Sequence, residues 1–169
     1  PDMGFTPDAS YGICHCEKGH MGFEVHAKND SAVVKSFEAG TVSNAVPFKA
    51  ECALVCSPQE VEKLQAKAAK SKGMFEVSPT QEGCTVLCHG KAAHAASPED
   101  GVNAAAHLVE LLCKVFKKDQ LGSFFRFIHE KIGLCTDGEK IGVKMRFHST
   151  IANVQAPIPH TSAVTAPLR

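Results

Sequence analysis

Hydrophobic and polar positions alternate with a period of two in the first part of the chain, which indicates strands. Phe23, Val25 and Ala27 fall on one face, with Glu24 and His26 on the other, as is typical of a half-buried strand. This pattern predicts a strand that has one face against a core.

More strands are predicted further along the chain. A polar turn at residues 29–30 leads to a strand over residues 32–37, which predicts a β-hairpin with the first strand. Further strands are predicted over residues 45–56, 74–78 and 84–89.

Helical spacing of apolar residues begins in the middle of the chain. The run SPQE at residues 57–60 is a capping box with proline at the first helical position, and Gly73 is a natural helix stop. A second helix is predicted from the N-cap Ser97 to about Lys117, and a third from Asp119 to Gly133.

The order of these elements is hairpin, strand, helix, strand, strand, helix, helix, and a last strand over residues 141–148. Its middle part follows the split β-α-β pattern. We therefore predict an α+β fold, with a ferredoxin-like antiparallel sheet, helices on one face and a preceding β-hairpin.

Charge excludes some classes of function. The chain of 169 residues contains 18 Lys and Arg against 18 Asp and Glu, so no net field favours nucleic acid or an acidic membrane. No apolar run reaches the ~18 residues of a membrane span, and no signal peptide precedes the first predicted strand.

Cysteine positions suggest a reducing compartment. Most of the eight cysteines stand where a strand pattern requires a small apolar residue, so they are interpreted as reduced core residues of a cytoplasmic protein. Cys14, His15, Cys16 and His20 leave open a metal-binding alternative, although their spacing is not that of a zinc finger.

His94 is the candidate functional residue, because it lies among small residues between a predicted strand and a predicted helix. Free N–H groups at a helix start favour negative charge, so a histidine there could hold a carboxylate or an oxyanion. An exposed histidine in an ordinary capped turn remains the alternative interpretation.

The surrounding motifs resemble the lid-domain signature of the M20 metallopeptidases, in particular the PepV-like dipeptidases. The likeness covers residues 1–145, and its motifs are the following: GKAAH at 90–94, SPE at 97–99, GVNA at 101–104, GFTPDA at 4–9, EKG at 17–19, NAVP at 44–47 and AECA at 50–53.

This resemblance implies a two-metal, usually zinc-dependent, hydrolase that cleaves small peptides by a metal-activated water. It implies that Asp8 binds one metal and that His94 reaches over the site to stabilise the substrate carbonyl as it becomes an oxyanion. Residues 1–16 would be the junction with a catalytic domain, residues 17–145 the lid, and residues 146–169 a tail of uncertain structure.

The resemblance also has gaps. The family's other metal ligands and paired glutamates are missing from the sequence, as is its Asn-x-Arg motif, and Tyr11-Gly12 stands where an aromatic-proline pair is usual. We expect the chain to need a missing catalytic domain and to be inactive alone. The alternative is a non-catalytic ferredoxin-like module for dimerisation or binding, and a homodimer is possible in either case.

Overall fold

A computed structural model describes residues 21–136, 140, 153–156 and 162–168. Asp8, the Cys/His group at residues 14–20 and the predicted strand over residues 141–148 lie outside the described residues. The three parts predicted for the chain, with boundaries after residues 16 and 145, stay a prediction.

In the described parts of the chain, seven strands form one sheet in which every neighbouring pair is antiparallel, in the order β1-β7-β6-β2-β3-β5-β4. The strands are β1 (Met21–Ala27), β2 (Val34–Ala39), β3 (Lys49–Val55), β4 (Phe75–Pro79), β5 (Gly83–His89), β6 (Asn153–Ala156) and β7 (Ser162–Leu168).

Among the residues that the structure describes, three α-helices accompany the sheet: α1 (Pro58–Ala68), α2 (Ala104–Cys113) and α3 (Lys118–Phe127). The predicted capping box of α1 is present, since Ser57 and Glu60 each bond the other's backbone N–H. Short turns of 3-10 helix cover Ala69–Ser71 and Pro98–Asp100, and a π-helical turn covers Ile128–Ile132. None of the helices in the described segments is both long and apolar enough to cross a membrane.

The predicted α+β class with a ferredoxin-like antiparallel sheet is confirmed. The unit β3-α1-β4 has β5 inserted between its two strands, as a split β-α-β unit requires. The strand residues that alternate toward the helices are buried, as are large residues of α2 and α3; among these core residues are Phe37, Cys52, Leu54, Val86, Leu108, Leu112 and Phe125.

The cysteines of the core are free thiols. Cys52, Cys84 and Cys88 are buried, and burial raises the pKa of both Cys84 and Cys88 to about 12. These thiols are therefore protonated at neutral pH and pack as small apolar groups, as their positions in the strands predicted.

The predicted hairpin between the first two strands is wrong. Both strands exist, but β6 and β7 lie between β1 and β2 in the sheet. The connection is held against α3 instead of turning back, because Ala32 N donates to Gln120 O at 2.9 Å and Ser31 Oγ donates to the same oxygen at 3.0 Å.

Asp30 anchors that connection to an interruption of α3. Gly122 has φ 79° and ψ 178°, so the helix restarts at Ser123, whose N–H lies 2.9 Å from both carboxylate oxygens of Asp30. A Cβ at Gly122 would overlap the Asp30 carboxylate. The carboxylate therefore caps the restarted helix from a distant part of the chain.

We expect Asp30→Ala to cost about 1 kcal/mol of unfolding free energy, the usual value of a helix cap. Burial would raise the pKa of Asp30, but the hydrogen bonds from Ser123 outweigh it and hold the pKa below its usual value. A lowered pKa means that the stabilisation exists above the unfolded-state pKa and is lost as pH falls through the folded-state value. Urea unfolding between pH 6 and roughly pH 2.5 checks this.

The matched control is Asp30→Asn, because asparagine caps helices about as well as aspartate but does not titrate. It should keep most of the stability at neutral pH and lose the acid-dependent part. Equal stability of the alanine and wild-type chains at neutral pH would show that the contact does not cap the helix.

Candidate functional site

The segment that carries His94 is a loop closed at its base. Lys91 and Val102 exchange two backbone hydrogen bonds of 2.9 Å each, and a Cβ at Gly90 would overlap the carbonyl oxygen of Val102. We call residues 90–103 the His94 loop. Its closure needs glycine at position 90, because the two arms approach too closely for a side chain there.

The apex of the His94 loop is held by the segment that precedes β3. Val46 N donates to Ala93 O, and Ala95 N donates to Asn44 O, each at 2.9 Å. Ala45 and His94 thus form an antiparallel bridge. Two motifs that resemble the dipeptidase family separately, at residues 44–47 and 90–104, therefore lie side by side.

Gly101 completes this arrangement by close packing. A Cβ at Gly101 would lie 2.9 Å from the Cβ of Ala93, 3.0 Å from the Lys91 carbonyl oxygen and 3.1 Å from Cγ1 of Val46. Such distances are shorter than ordinary van der Waals contact, so the loop tolerates only glycine without movement.

The predicted helix start at Ser97 is wrong. Ser97 makes no capping hydrogen bond and precedes only the 3-10 turn Pro98–Asp100. Asn103 caps α2 instead, its side-chain oxygen accepting from Ala106 N at 3.1 Å. The chain leaves the helical conformation at Gly101 in order to pair Val102 with Lys91.

The N-terminus of α2 does not lie directly beside His94. The free N–H groups and the dipole of α2 begin at Asn103, beyond the far arm of the loop, and not directly after His94. Any stabilisation of negative charge near His94 must therefore come from the imidazole itself.

The imidazole of His94 is exposed and oriented. Its Nδ1 accepts a hydrogen bond from Ala96 N at 3.1 Å, so the neutral ring carries its proton on Nε2. No described residue hydrogen-bonds Nε2. The loop thus presents one N–H donor to whatever lies above it.

Asp8, the other predicted site residue, lies outside the described residues, so its place relative to His94 stays a prediction. Within the described parts of the chain, no group of three or more His, Cys, Asp and Glu side chains is placed to hold a metal ion. The described residues therefore do not fit a zinc site, and the zinc implied by the family resemblance stays a prediction.

Comparison with curated proteins gives relatives for this chain. It is 28% identical over 151 residues to the Beta-Ala-Xaa dipeptidase of Lactobacillus delbrueckii subsp. lactis, covering 85% of this chain and 32% of that protein. It is 30% identical over 155 residues to the Putative dipeptidase YtjP of Bacillus subtilis, covering 85% and 33%. The chain is related to these dipeptidases.

A third dipeptidase relative shows the same extent of match. The Putative dipeptidase SSP1012 of Staphylococcus saprophyticus is 28% identical over 162 residues, which are 89% of this chain and 34% of that protein. No protein-family model matches the chain. The resemblance to dipeptidases drawn from the motifs is confirmed, and the chain spans about a third of the length of these relatives.

Proposed function

We propose that this chain is the lid part of a dipeptidase and that His94 donates a hydrogen bond from Nε2 to the carbonyl oxygen of the scissile peptide bond. The observation that carries the proposal is the exposed ring whose Nδ1 is engaged by Ala96 N at 3.1 Å. A ring held at one nitrogen presents the other in a defined direction.

The chemistry follows from how charge develops in peptide hydrolysis. The carbonyl oxygen becomes an oxyanion in the transition state, and a hydrogen bond to an oxyanion is stronger than one to a neutral carbonyl. A donor already fixed in place needs no reorganisation as the charge develops. The closed base of the His94 loop and its bridge to Ala45 would supply that fixed position.

The remaining parts of the hydrolase come from outside the described residues. By resemblance, we propose that Asp8 binds one metal ion, that the metal is zinc, and that a catalytic domain contributes the rest of the site. Support for these proposals is the motif GFTPDA at residues 4–9 and the relatives named dipeptidases.

We expect the isolated chain to hydrolyse no dipeptide in the presence of zinc, since one aspartate cannot hold a metal pair. Incubation with β-alanyl-histidine and zinc, followed by amino-acid analysis, checks this. The Lactobacillus delbrueckii relative serves as the positive control. Turnover by the chain that a chelator abolishes would contradict the prediction.

A chimera tests the lid proposal itself. The matching segment of the Lactobacillus delbrueckii relative is replaced by this chain, and dipeptide hydrolysis is measured. Hydrolysis that depends on His94 would support the lid function. A folded chimera whose activity is unchanged when His94 is substituted would favour the non-catalytic module. Such a module could bind a partner at β4, which pairs only with β5 among the described strands.

A further inference from the structure

A cleft of about 840 Å³ opens between α1 and α2, over the adjoining ends of β4 and β5. Its walls carry five lysines, and we call it the lysine cleft. These lysines are Lys67, Lys70, Lys72, Lys91 and Lys114. They come from three separate parts of the chain, so the fold collects charge that the sequence disperses.

Charge in the lysine cleft is strongly unbalanced. Among the described residues, Glu110 is the one carboxylate in its lining, whereas the whole chain has no net charge. Glu110 is already paired, since its oxygens lie 3.3 Å from Lys114 Nζ and 3.0 Å from His129 Nε2. Apart from Lys114, the cleft lysines therefore have positive charge that no carboxylate among the described lining residues offsets, which attracts anions.

The interior of the cleft is less polar than its walls. Met74 and Phe75 pack partly against the hydrophobic core, and Leu111 is buried. Burial, followed by the positive charge of Lys114, lowers the pKa of the half-buried His107, so this ring is neutral at pH 7. A ligand would thus meet ammonium groups at the mouth and an apolar surface below.

The backbone at one wall is strained. Lys72 has φ 49°, a left-handed conformation that glycine adopts more easily, and Gly73 follows with φ 84°. Lys72 is the C-cap residue of the 3-10 turn Ala69–Ser71, a position where a left-handed residue commonly ends a helix. It gives a position where the charge can be removed while the backbone strain is relieved.

We propose that the lysine cleft binds a small molecule with several phosphoryl groups. The phosphoryl oxygens pair with the lysine ammonium groups, and an apolar part of the molecule rests on Met74 and Phe75. The cleft volume of about 840 Å³ lies within the range of small-molecule sites. This proposal does not rest on the proposed peptidase function.

The cleft shares a wall with the His94 loop. Gly90, Lys91 and Val102 line the cleft, and they are also the residues that close the base of the loop. A phosphorylated ligand in the cleft would therefore contact the base of the His94 loop.

Titration calorimetry on the full chain tests the proposal with three probes in metal-free buffer: adenosine triphosphate, inorganic tripolyphosphate and adenosine. We expect adenosine triphosphate to bind with one-to-one stoichiometry and adenosine not to bind. If tripolyphosphate binds as tightly as adenosine triphosphate, the result supports the phosphoryl site and shows that the phosphoryl groups alone are sufficient for binding. Weaker binding of tripolyphosphate would support a contribution from the apolar floor.

Variants separate the cleft from general attraction between charges. The double variant Lys70→Gln with Lys91→Gln should weaken adenosine triphosphate binding about tenfold or more. The matched control is Lys63→Gln, which removes an exposed lysine of α1 that lies outside the cleft and should change affinity less than about twofold. Lys72→Gly should lower affinity while leaving the melting temperature equal or higher, which unfolding cannot explain.

Two results would overturn the proposal. One is the absence of binding by both phosphate probes at millimolar concentration, with circular dichroism showing a folded chain. The other is an equal loss of affinity in Lys63→Gln and in the double variant. That result would show that surface lysines attract the ligand wherever they lie, without a specific site.

Discussion

Replacing His94 by asparagine in the chimera with the Lactobacillus delbrueckii relative is expected to lower kcat/KM roughly 10²- to 10³-fold, the usual effect of losing one oxyanion donor. The asparagine side-chain oxygen can replace Nδ1 as the acceptor of the Ala96 N–H, which His94 now engages at 3.1 Å. The loop then keeps its internal bond and loses only the outward donor. Steady-state kinetics with a dipeptide check this.

Two more substitutions at position 94 distinguish a catalytic donor from a structural residue. Glutamine reaches further and places an amide N–H near the position of Nε2, so His94→Gln should retain part of the activity. His94→Ala removes both the acceptor and the donor and should be the least active. The loss should fall mainly on kcat, because the hydrogen bond strengthens as the oxyanion forms.

The control is His129→Asn, which removes an imidazole that pairs with Glu110 on another element. It should change kcat/KM little. If His94→Asn stays within about threefold of the parent chimera, or if it acts only through KM, the ring does not stabilise the transition state.

Local signals in the sequence predicted those elements whose ends are determined by their own residues. Ser57 and Glu60 cap α1 through bonds within four consecutive residues, and Gly73 ends that region with a left-handed backbone. The alternation Ala50, Cys52 and Leu54 predicted the buried face of β3. In each case the deciding contact, or its apolar period, is visible in one short segment.

The errors occur where a distant segment determines the local structure. Asn29-Asp30 is a good hairpin turn by composition, but Asp30 instead caps the helix that restarts at Ser123. Ser97 and Pro98 look like a helix start, but Val102 forms backbone hydrogen bonds with Lys91. The helix α2 therefore begins only after its N-cap Asn103. Propensity cannot weigh such long-range hydrogen bonds.

The sequence predicts which residue the candidate site contains, but not how that residue is held. Resemblance selected His94, whereas the bond that orients its ring and the bridge to Ala45 appear only in three dimensions. The lysine cleft is not visible in the sequence, where Lys70 and Lys72 simply lie at the end of a predicted helix. No sequence period connects them with Lys91 and Lys114.

Gly90→Ala is expected to open the base of the His94 loop and to cost roughly 2–4 kcal/mol, from overpacking and lost hydrogen bonds together. The added Cβ would overlap the carbonyl oxygen of Val102 and lie 3.0 Å from Ala104 N. These are backbone atoms, so no side-chain rotation relieves the overlap. Either the Lys91–Val102 pair separates, or β5 and the start of α2 move apart.

Hydrogen exchange shows whether the base of the His94 loop opens while the sheet stays intact. The amides of Lys91 and Val102, which bond across the base at 2.9 Å, should lose protection, while those of β3 and β5 should follow the global stability measured by urea unfolding.

The matched glycine control is Gly73→Asn, because a Cβ at Gly73 meets no atom within 4 Å and asparagine tolerates a left-handed backbone. It should cost less than about 1 kcal/mol and leave exchange at Lys91 unchanged. Unchanged protection of both base amides in Gly90→Ala would mean that close approach does not hold the loop, and the fixed donor proposed for His94 would lose its structural support.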